Sequence, residues 1–332
     1  MSSFRTQFYW ARHPPAELGK DVSFKGRTVL VTGANSGLGH ESAVKYAALG
    51  ASPLILATRT VENGEKAKAE IIQRTGCSSD IFIIEPVELA SFASVKAFCH
   101  RVKTRVPGLH VVVLAAGMVA LEYDHSPEGH ETSTQVNVLS MALMGLLLLP
   151  KLMETARLQD DSFVPHMTHL NSIAAFEVRS EELPPSQSLV QRLEDKKKWN
   201  RDRQYFLIKL ASWYVVQGLV NIVKQQGLED RVVVNASCPG LCKTNMASKL
   251  PLAARMVMNI IYFIFGRSAE QGSRTIVGAT ALGPESNGRL WTNDQLQEPS
   301  ELLASGRGSE LYHETWQEIR EILRKAVGTG EI

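Results

Sequence analysis

Six short apolar runs, at 28–32, 53–58, 81–84, 109–114, 167–171 and 231–236, punctuate the chain at strand length, the fifth being the weakest. Between them apolar residues recur at helical spacing: over 40–50, over 65–73, over 91–103, from 132 into the leucines of 146–149, and over 205–223. A run that is apolar on successive residues rather than alternate ones predicts a strand covered on both faces. Strands of that kind alternating with helices predict a parallel sheet with helices on both sides. The expected fold is α/β, a doubly wound parallel sheet of Rossmann type in a single domain over 26–295. Residues 1–25 read as an N-terminal extension. Residues 296–332 read as a helical tail in which Tyr312, Trp316, Ile319 and Leu323 share one apolar stripe.

Two segments depart from the alternation. Residues 176–203 are polar, with Pro184-Pro185 and a cluster Lys196-Lys197-Lys198 offset by Glu194, Asp195 and Asp202. They read as an insertion, either a wall of a site's mouth or a solvated excursion. Residues 246–272 are strongly apolar, carrying Leu250, Leu252, Met256, Ile260, Tyr262, Phe263 and Phe265 among others. They are either a lid over a lipophilic ligand or a filling of core or subunit interface. The most apolar stretches, 141–150 and 256–265, are shorter than the ~20 residues of a spanning helix. No transmembrane segment is expected, membrane contact through the second stretch being left open.

Composition narrows the partners. The 332 residues are 44% hydrophobic and 21% charged with a net charge of +2, so nothing electrostatic argues for nucleic acid. The first 20 residues lack the continuous apolar core of a signal peptide. Cys77, Cys99, Cys238 and Cys242 are scattered, without the spacing of metal ligands, and suit reduced thiols in a cytoplasmic protein with no metal site.

Candidate chemistry gathers where strands end, because ligands of such sheets bind beyond the carboxyl ends. The first run feeds Thr32-Gly33-Ala34-Asn35-Ser36-Gly37-Leu38-Gly39 and then a helix. Backbone N–H groups at a helix start attract an anion, and glycine lets a diphosphate come close. At the end of the second run stands Thr58-Arg59 where an NAD site would carry a carboxylate. A guanidinium there favours the extra phosphate of NADP(H); the plainer reading is a surface arginine in a loop. Tyr205 and Lys209 are four apart on a helix and so share a face. An ammonium beside a phenol lowers a pKa that is otherwise ~10. Ser172, at the end of the fifth run, could hydrogen-bond a carbonyl oxygen that Tyr205 protonates.

Taken together these residues resemble the short-chain dehydrogenase/reductase family, and within it the retinol-dehydrogenase-like branch that includes fungal biosynthetic reductases. The resemblance runs from about Gly26 to Trp291. It is carried by the glycine turn of 32–39, Leu114-Ala115-Ala116-Gly117, Asn137, Ser172, Tyr205-Phe206-Leu207-Ile208-Lys209 and Pro239-Gly240-Leu241-Cys242-Lys243-Thr244. It implies an NADP(H)-dependent oxidoreductase that interconverts a ketone and a secondary alcohol on a lipophilic small molecule. Tyr205 would be the general acid or base, with Lys209 lowering its pKa and holding the nicotinamide ribose. Ser172 would orient the substrate and Asn137 would support a proton-relay water. The cofactor would lie against Gly33, Asn35, Ser36, Gly37, Leu38, Gly39, Arg59, Ala115, Ala116, Gly117, Asn137, Pro239, Gly240 and Thr244. Glu88-Leu89 stands where relatives carry Asp-Leu near the adenine, and Ile208 replaces the usual serine before the lysine. The resemblance also implies a homodimer through the helices of 141–152 and 205–223, and a place in secondary-metabolite biosynthesis. Two other readings are a non-redox cyclase or isomerase that uses the NADP-bound fold as a scaffold, and a dinucleotide-sensing regulatory protein.

Overall fold

A computed structural model describes residues 4–19, 21–158, 163–243, 252–328 and 330. Its strands are β1 (Val29–Thr32), β2 (Leu54–Thr58), β3 (Phe82–Pro86), β4 (Val111–Leu114), β5 (His166–Leu170), β6 (Val233–Ser237), β7 (Leu290–Thr292) and β8 (Gln295–Gln297). They form one sheet in the order β3-β2-β1-β4-β5-β6-β7-β8. Neighbours from β3 through to β7 pair parallel, and β8 returns antiparallel on β7. The order reverses between β1 and β4, which opens a crevice at their carboxyl ends.

The helices used below are α1 (Phe4–Arg12), α2 (Gly37–Ala48), α3 (Val61–Thr75), α4 (Phe92–Arg105), α5 (Thr132–Leu158), α6 (Leu189–Glu194), α7 (Arg201–Gln225), α8 (Leu252–Phe265), α9 (Ala269–Ala279) and α10 (Gly306–Val327). Strand side chains alternate between two cores. Val29, Val31, Leu54, Leu56, Val111 and Val113 pack with Tyr46, Ile71, Ile276 and Val277 of α2, α3 and α9. Leu30, Ile55, Val112 and Leu114 face the other way, into the side chains of α4, α5, α7 and α10. Both faces of β1, β2 and β4 are thus dry, which explains their unbroken apolar runs. Two helices, Thr132–Leu158 and Arg201–Gln225, are long and apolar enough to cross a membrane, but most of that surface is buried inside the fold.

Three features depart from the expectations. The β7–β8 hairpin has no counterpart in the apolar pattern, because its strands are three residues each. Its turn residues Asn293 and Asp294 have φ of 48° and 59°, the left-handed conformation that a tight hairpin needs and that Asn and Asp tolerate. Residues 176–203 are not a solvated excursion: Val178, Leu183, Leu189, Val190 and Leu193 are buried in the larger core. Ser188 also donates to Glu318 of α10 at 2.6 Å. The segment's few apolar residues fall at helical spacing among many polar ones, so its inner face was hidden by its average polarity. The N-terminal extension, finally, is built into the structure as α1, which packs on α8.

The C-terminal helix closes over α7 at one close contact. A Cβ on Gly218 would lie 2.3 Å from Cε2 of Trp316, and the indole is itself almost wholly buried. Gly218→Ala should therefore overpack this seam and lower the unfolding free energy by about 1–3 kcal/mol, read as a lower midpoint in urea. An unchanged or raised midpoint would show that α10 can move aside.

Candidate active site

The glycine turn begins where β1 ends. Gly33 and Gly37 have φ of 68° and 58°, a region in which a side chain is strained. A Cβ on Gly33 would sit 3.1 Å from Cα of Ala116, and one on Gly39 would sit 2.5 Å from the Gly33 carbonyl oxygen. The contacts are backbone on backbone and cannot relax by a rotamer change. Thr32 ties the same corner together. Its hydroxyl donates to the Val113 carbonyl (3.2 Å) and accepts from the amides of Ala115 and Ala116, both at 2.9 Å. Ser36 is the N-cap of α2, and its side chain makes no capping bond, so the first-turn amides are not closed off by it.

Beside this corner lies a cavity of about 310 Å³ lined by Leu38, Ala115–Gly117, Asn137, Ser172, Tyr205, Lys209, Pro239 and Gly240 among others. Each side chain is set by a local stop signal. Ser172 caps the 3₁₀ turn Ile173–Glu177, accepting from the Ala174 amide at 3.2 Å. Asn200 caps α7, accepting from the amides of Asp202 and Arg203 at 3.1 Å each. Tyr205 and Lys209, on successive turns near the start of α7, then line the cavity.

Tyr205 hydrogen-bonds Ser172, but burial is the larger influence and pushes the phenol up to about 12. The same burial pushes Lys209 down to about 8, with the nearby Cys238 opposing it. The expected lowering of the phenol by the ammonium is not what the structure gives. Lys209 Nζ donates to the Leu170 carbonyl at 2.9 Å and stands 5.8 Å from the centre of the Tyr205 ring, over the ring face.

Asn137 sits in a π-helical turn, Gln135–Leu139, near the start of α5. Its amide group donates to the carbonyls of Met118 (2.9 Å) and Ser133 (2.8 Å), and its oxygen accepts from the Met118 amide at 2.9 Å. Both amide hydrogens are occupied, so the side chain fastens the loop after β4 instead of presenting a donor to a relay water. Gly117 makes that approach feasible, because a Cβ there would fall 2.7 Å from the Asn137 oxygen. Arg59 lies at the end of β2 and pairs with Glu88 at 3.3 Å, both well exposed. Gly240 has φ of 74°. Thr244 and residues 246–251 of the expected lid lie outside the described residues.

The structure also brings in residues that spacing did not single out. His169 lines the cavity, is 4% exposed and has neither ring nitrogen hydrogen-bonded. Burial first, and then Lys209, hold its pKa down at about 3, so the ring is neutral. Asn171, also on the wall, keeps an amide nitrogen without a partner. Such buried, unpaired donors and acceptors are what a polar ligand would satisfy. Gln204 donates to the buried carboxylate of Glu131 at 3.2 Å and to the Leu193 carbonyl at 3.0 Å. It thereby locks α7 to the start of α5 and to the 176–203 insertion, whose Arg201 reaches the cavity wall. The polar-polar run Arg203-Gln204 gave no warning of this, since a buried glutamine looks like a surface one in sequence. Of the expected lid, Tyr262 lines the cavity, whereas Phe263 points away from it at 88% exposure.

Comparison with known proteins places this geometry. The family model for short chain dehydrogenase matches residues 27–158. The chain is 35% identical to the short-chain dehydrogenase/reductase ffsI of Aspergillus flavipes over 96% of its own length and 92% of the relative's. It is also 35% identical to the short-chain dehydrogenase/reductase phmF of Phaeosphaeria nodorum, over 95% and 92%. Among solved structures it superimposes with a TM-score of 0.57, at 18% identity, on an alcohol dehydrogenase from the archaeon Thermococcus sibiricus complexed with 5-hydroxy-NADP. That match covers 82% of this chain and 99% of the other, and at that identity it speaks for the fold.

Thr32→Val keeps the shape of the side chain and removes its three hydrogen bonds. It should destabilise the protein by about 1–3 kcal/mol in a urea titration, with Thr32→Ser restoring most of the loss. Equal stability of Val and Thr would mean that the tie between β1 and the 115–117 loop carries no weight.

Proposed function

Because the chain belongs to the short-chain dehydrogenase/reductase family, we propose that it is an NADP(H)-dependent oxidoreductase interconverting a ketone and a secondary alcohol on a lipophilic small molecule. The observation that carries the reading is the meeting of Ser172, Tyr205 and Lys209 on one cavity wall, beside a turn whose Gly33 and Gly39 have no room for a side chain. The relatives' fungal sources support a role in secondary metabolism, and a cytoplasmic location fits the reduced cysteines.

The residues fit the dinucleotide. Gly33 and Gly39 let the turn close on Ala116 and on itself, Gly37 takes a φ of 58°, and the open first turn of α2 suits a diphosphate. Arg59 is placed for a ribose phosphate. Its exposed pair with Glu88 is of a kind worth about 0–1 kcal/mol, which a doubly charged phosphate would readily replace. Ala115, Ala116, Pro239 and Gly240 complete the walls, with the neutral His169 and Asn171 available to ribose or amide groups. When bound, the nicotinamide supplies or takes the hydride.

The chain's own groups handle the proton and the orientation. Tyr205, pushed up to about 12 by burial, keeps its proton throughout the neutral range and would be the group that gives it to a carbonyl oxygen, burial making it a weaker acid than a free phenol. Ser172 shares a hydrogen bond with Tyr205 and fixes where that oxygen rests. Lys209 is charged only below about pH 8, and its anchor on Leu170 sets its place relative to the ring. Asn137 is a positioning residue that holds Met118 and the loop after β4.

Tyr205→Phe should lose at least about 100-fold in turnover of apolar ketones, the scale of a lost general acid, while NADPH still binds by fluorescence titration. NADPH binding without turnover of any ketone by the unaltered protein would instead favour a scaffold or sensor role. The pH profile offers a second check. Lys209, normally ~10.4 and here about 8, loses its charge earlier than usual on the alkaline side. The kcat/KM for reduction should be level up to about pH 8 and fall above it, and a profile flat to pH 10 would remove Lys209 from the reaction.

A further inference from the structure

We infer that the outer face of the α1–α8 helix pair is a docking surface for an anionic lipid bilayer, set beside the mouth of the active-site cavity. Eight large apolar side chains stand exposed among the described residues, and five of them are on these two helices: Phe8, Tyr9, Met256, Ile260 and Phe263. Phe263 is 88% exposed, Met256 63% and Ile260 61%. Positions 256, 260 and 263 follow one stripe of a helix. Tyr262, one residue from the most exposed member, lines the cavity, so the same helix borders both the site and the solvent.

The two helices are held together as one body. The rings of Phe8 and Phe265 meet edge to face with centroids 6.3 Å apart. Arg12 lies over the Phe8 ring at 3.7 Å and donates to the Ile264 carbonyl at 3.1 Å. The buried Arg267 donates to the carbonyls of Trp10 (2.8 Å) and His13 (3.1 Å). An arginine buried under the pair, holding the connection after α1, makes the apolar face a constructed surface, not a frayed end.

Charge selects the occupant. The chain as a whole is balanced, with 36 Lys and Arg against 34 Asp and Glu. Residues 1–16 and 241–269 nevertheless contain Arg5, Arg12, Lys243, Lys249, Arg255 and Arg267 and not one carboxylate. Arg12, Lys243 and Arg255 are exposed. α1 and α8 themselves carry no carboxylate, and an apolar stripe with the exposed cations Arg12, Lys243 and Arg255 beside it matches anionic headgroups above acyl chains. A second copy of the chain would bring like charges together with no acidic counterpart, which disfavours a twofold contact through this face. The 14 residues of α8 are too few to span a bilayer and suit a helix lying in its plane. Docked so, the cavity would open toward the phase in which a lipophilic ketone is concentrated. Docking itself does not depend on which reaction the cavity performs.

The test uses the full chain in a flotation assay with phosphatidylcholine vesicles containing about 30% phosphatidylserine, with pure phosphatidylcholine vesicles alongside. Binding is expected on the anionic vesicles and should be at least tenfold weaker on the neutral ones and in high salt, several basic groups each contributing roughly fivefold. The double variant Ile260→Ser, Phe263→Ser alters exposed positions and should keep its thermal midpoint while losing flotation. Arg255→Glu should lose it in part. No flotation on anionic vesicles, or equal flotation by a folded double variant, would overturn the inference. So would a concentration-dependent dimer in sedimentation that the double variant abolishes, because that would assign the face to a second copy.

Discussion

Everything at the active end of this sheet depends on how closely the backbone after β1 approaches the backbone after β4. Gly39 lies over the Gly33 carbonyl, Gly33 lies over Ala116, and the Thr32 hydroxyl joins the amides of Ala115 and Ala116. The reversal of strand order opens a crevice here, and the glycines keep it narrow enough for main-chain groups to line it. Asn137 extends the constraint by one layer, clamping Met118 from the far side of the loop. The part of the cavity wall nearest the glycine turn, at Ala115, Ala116 and Gly117, is therefore backbone and short side chains held by hydrogen bonds.

On that frame, burial governs the chemistry more than charge pairing does. Desolvation raises Tyr205 and lowers Lys209, and together with the nearby Lys209 it keeps His169 neutral. A tyrosine that holds its proton, a lysine near its titration point and an unpaired imidazole form a polar patch ready for ligand groups. The 176–203 insertion contributes to this stiffness. Its Leu193 carbonyl and Glu194 carboxylate hold Gln204 and the backbone of Glu131, which ties together the first turns of the two helices that carry Tyr205 and Asn137.

The outer side of the site follows different rules. The face of α8 that carries Tyr262 belongs to the cavity, while its stripe of Met256, Ile260 and Phe263 meets solvent. The N-terminal helix covers part of that outer surface and adds Phe8 and Tyr9 to it. An apolar helix at the mouth can thus serve the interior and a second phase at once, because its two faces are separated by half a turn.

How much could be read from the chain alone divides along a physical line. Six strand runs, the glycine turn, the Tyr205–Lys209 pair and the position of Ser172 are local patterns, and unbroken apolar runs arise because both faces of the central strands must be dry. The three-residue strands of the β7–β8 hairpin carry too few residues for any period to register. The membership of His169, Asn171 and Gln204 in the cavity wall depends on contacts between residues far apart in sequence, and a buried polar residue has no signature of its own. The same holds for the inward packing of Leu189, Val190 and Leu193. Apolar content marked the segment of α8 but could not say which way its side chains face. Amphipathicity marks that a helix has two sides, while the neighbours supplied by the rest of the fold decide which side is covered.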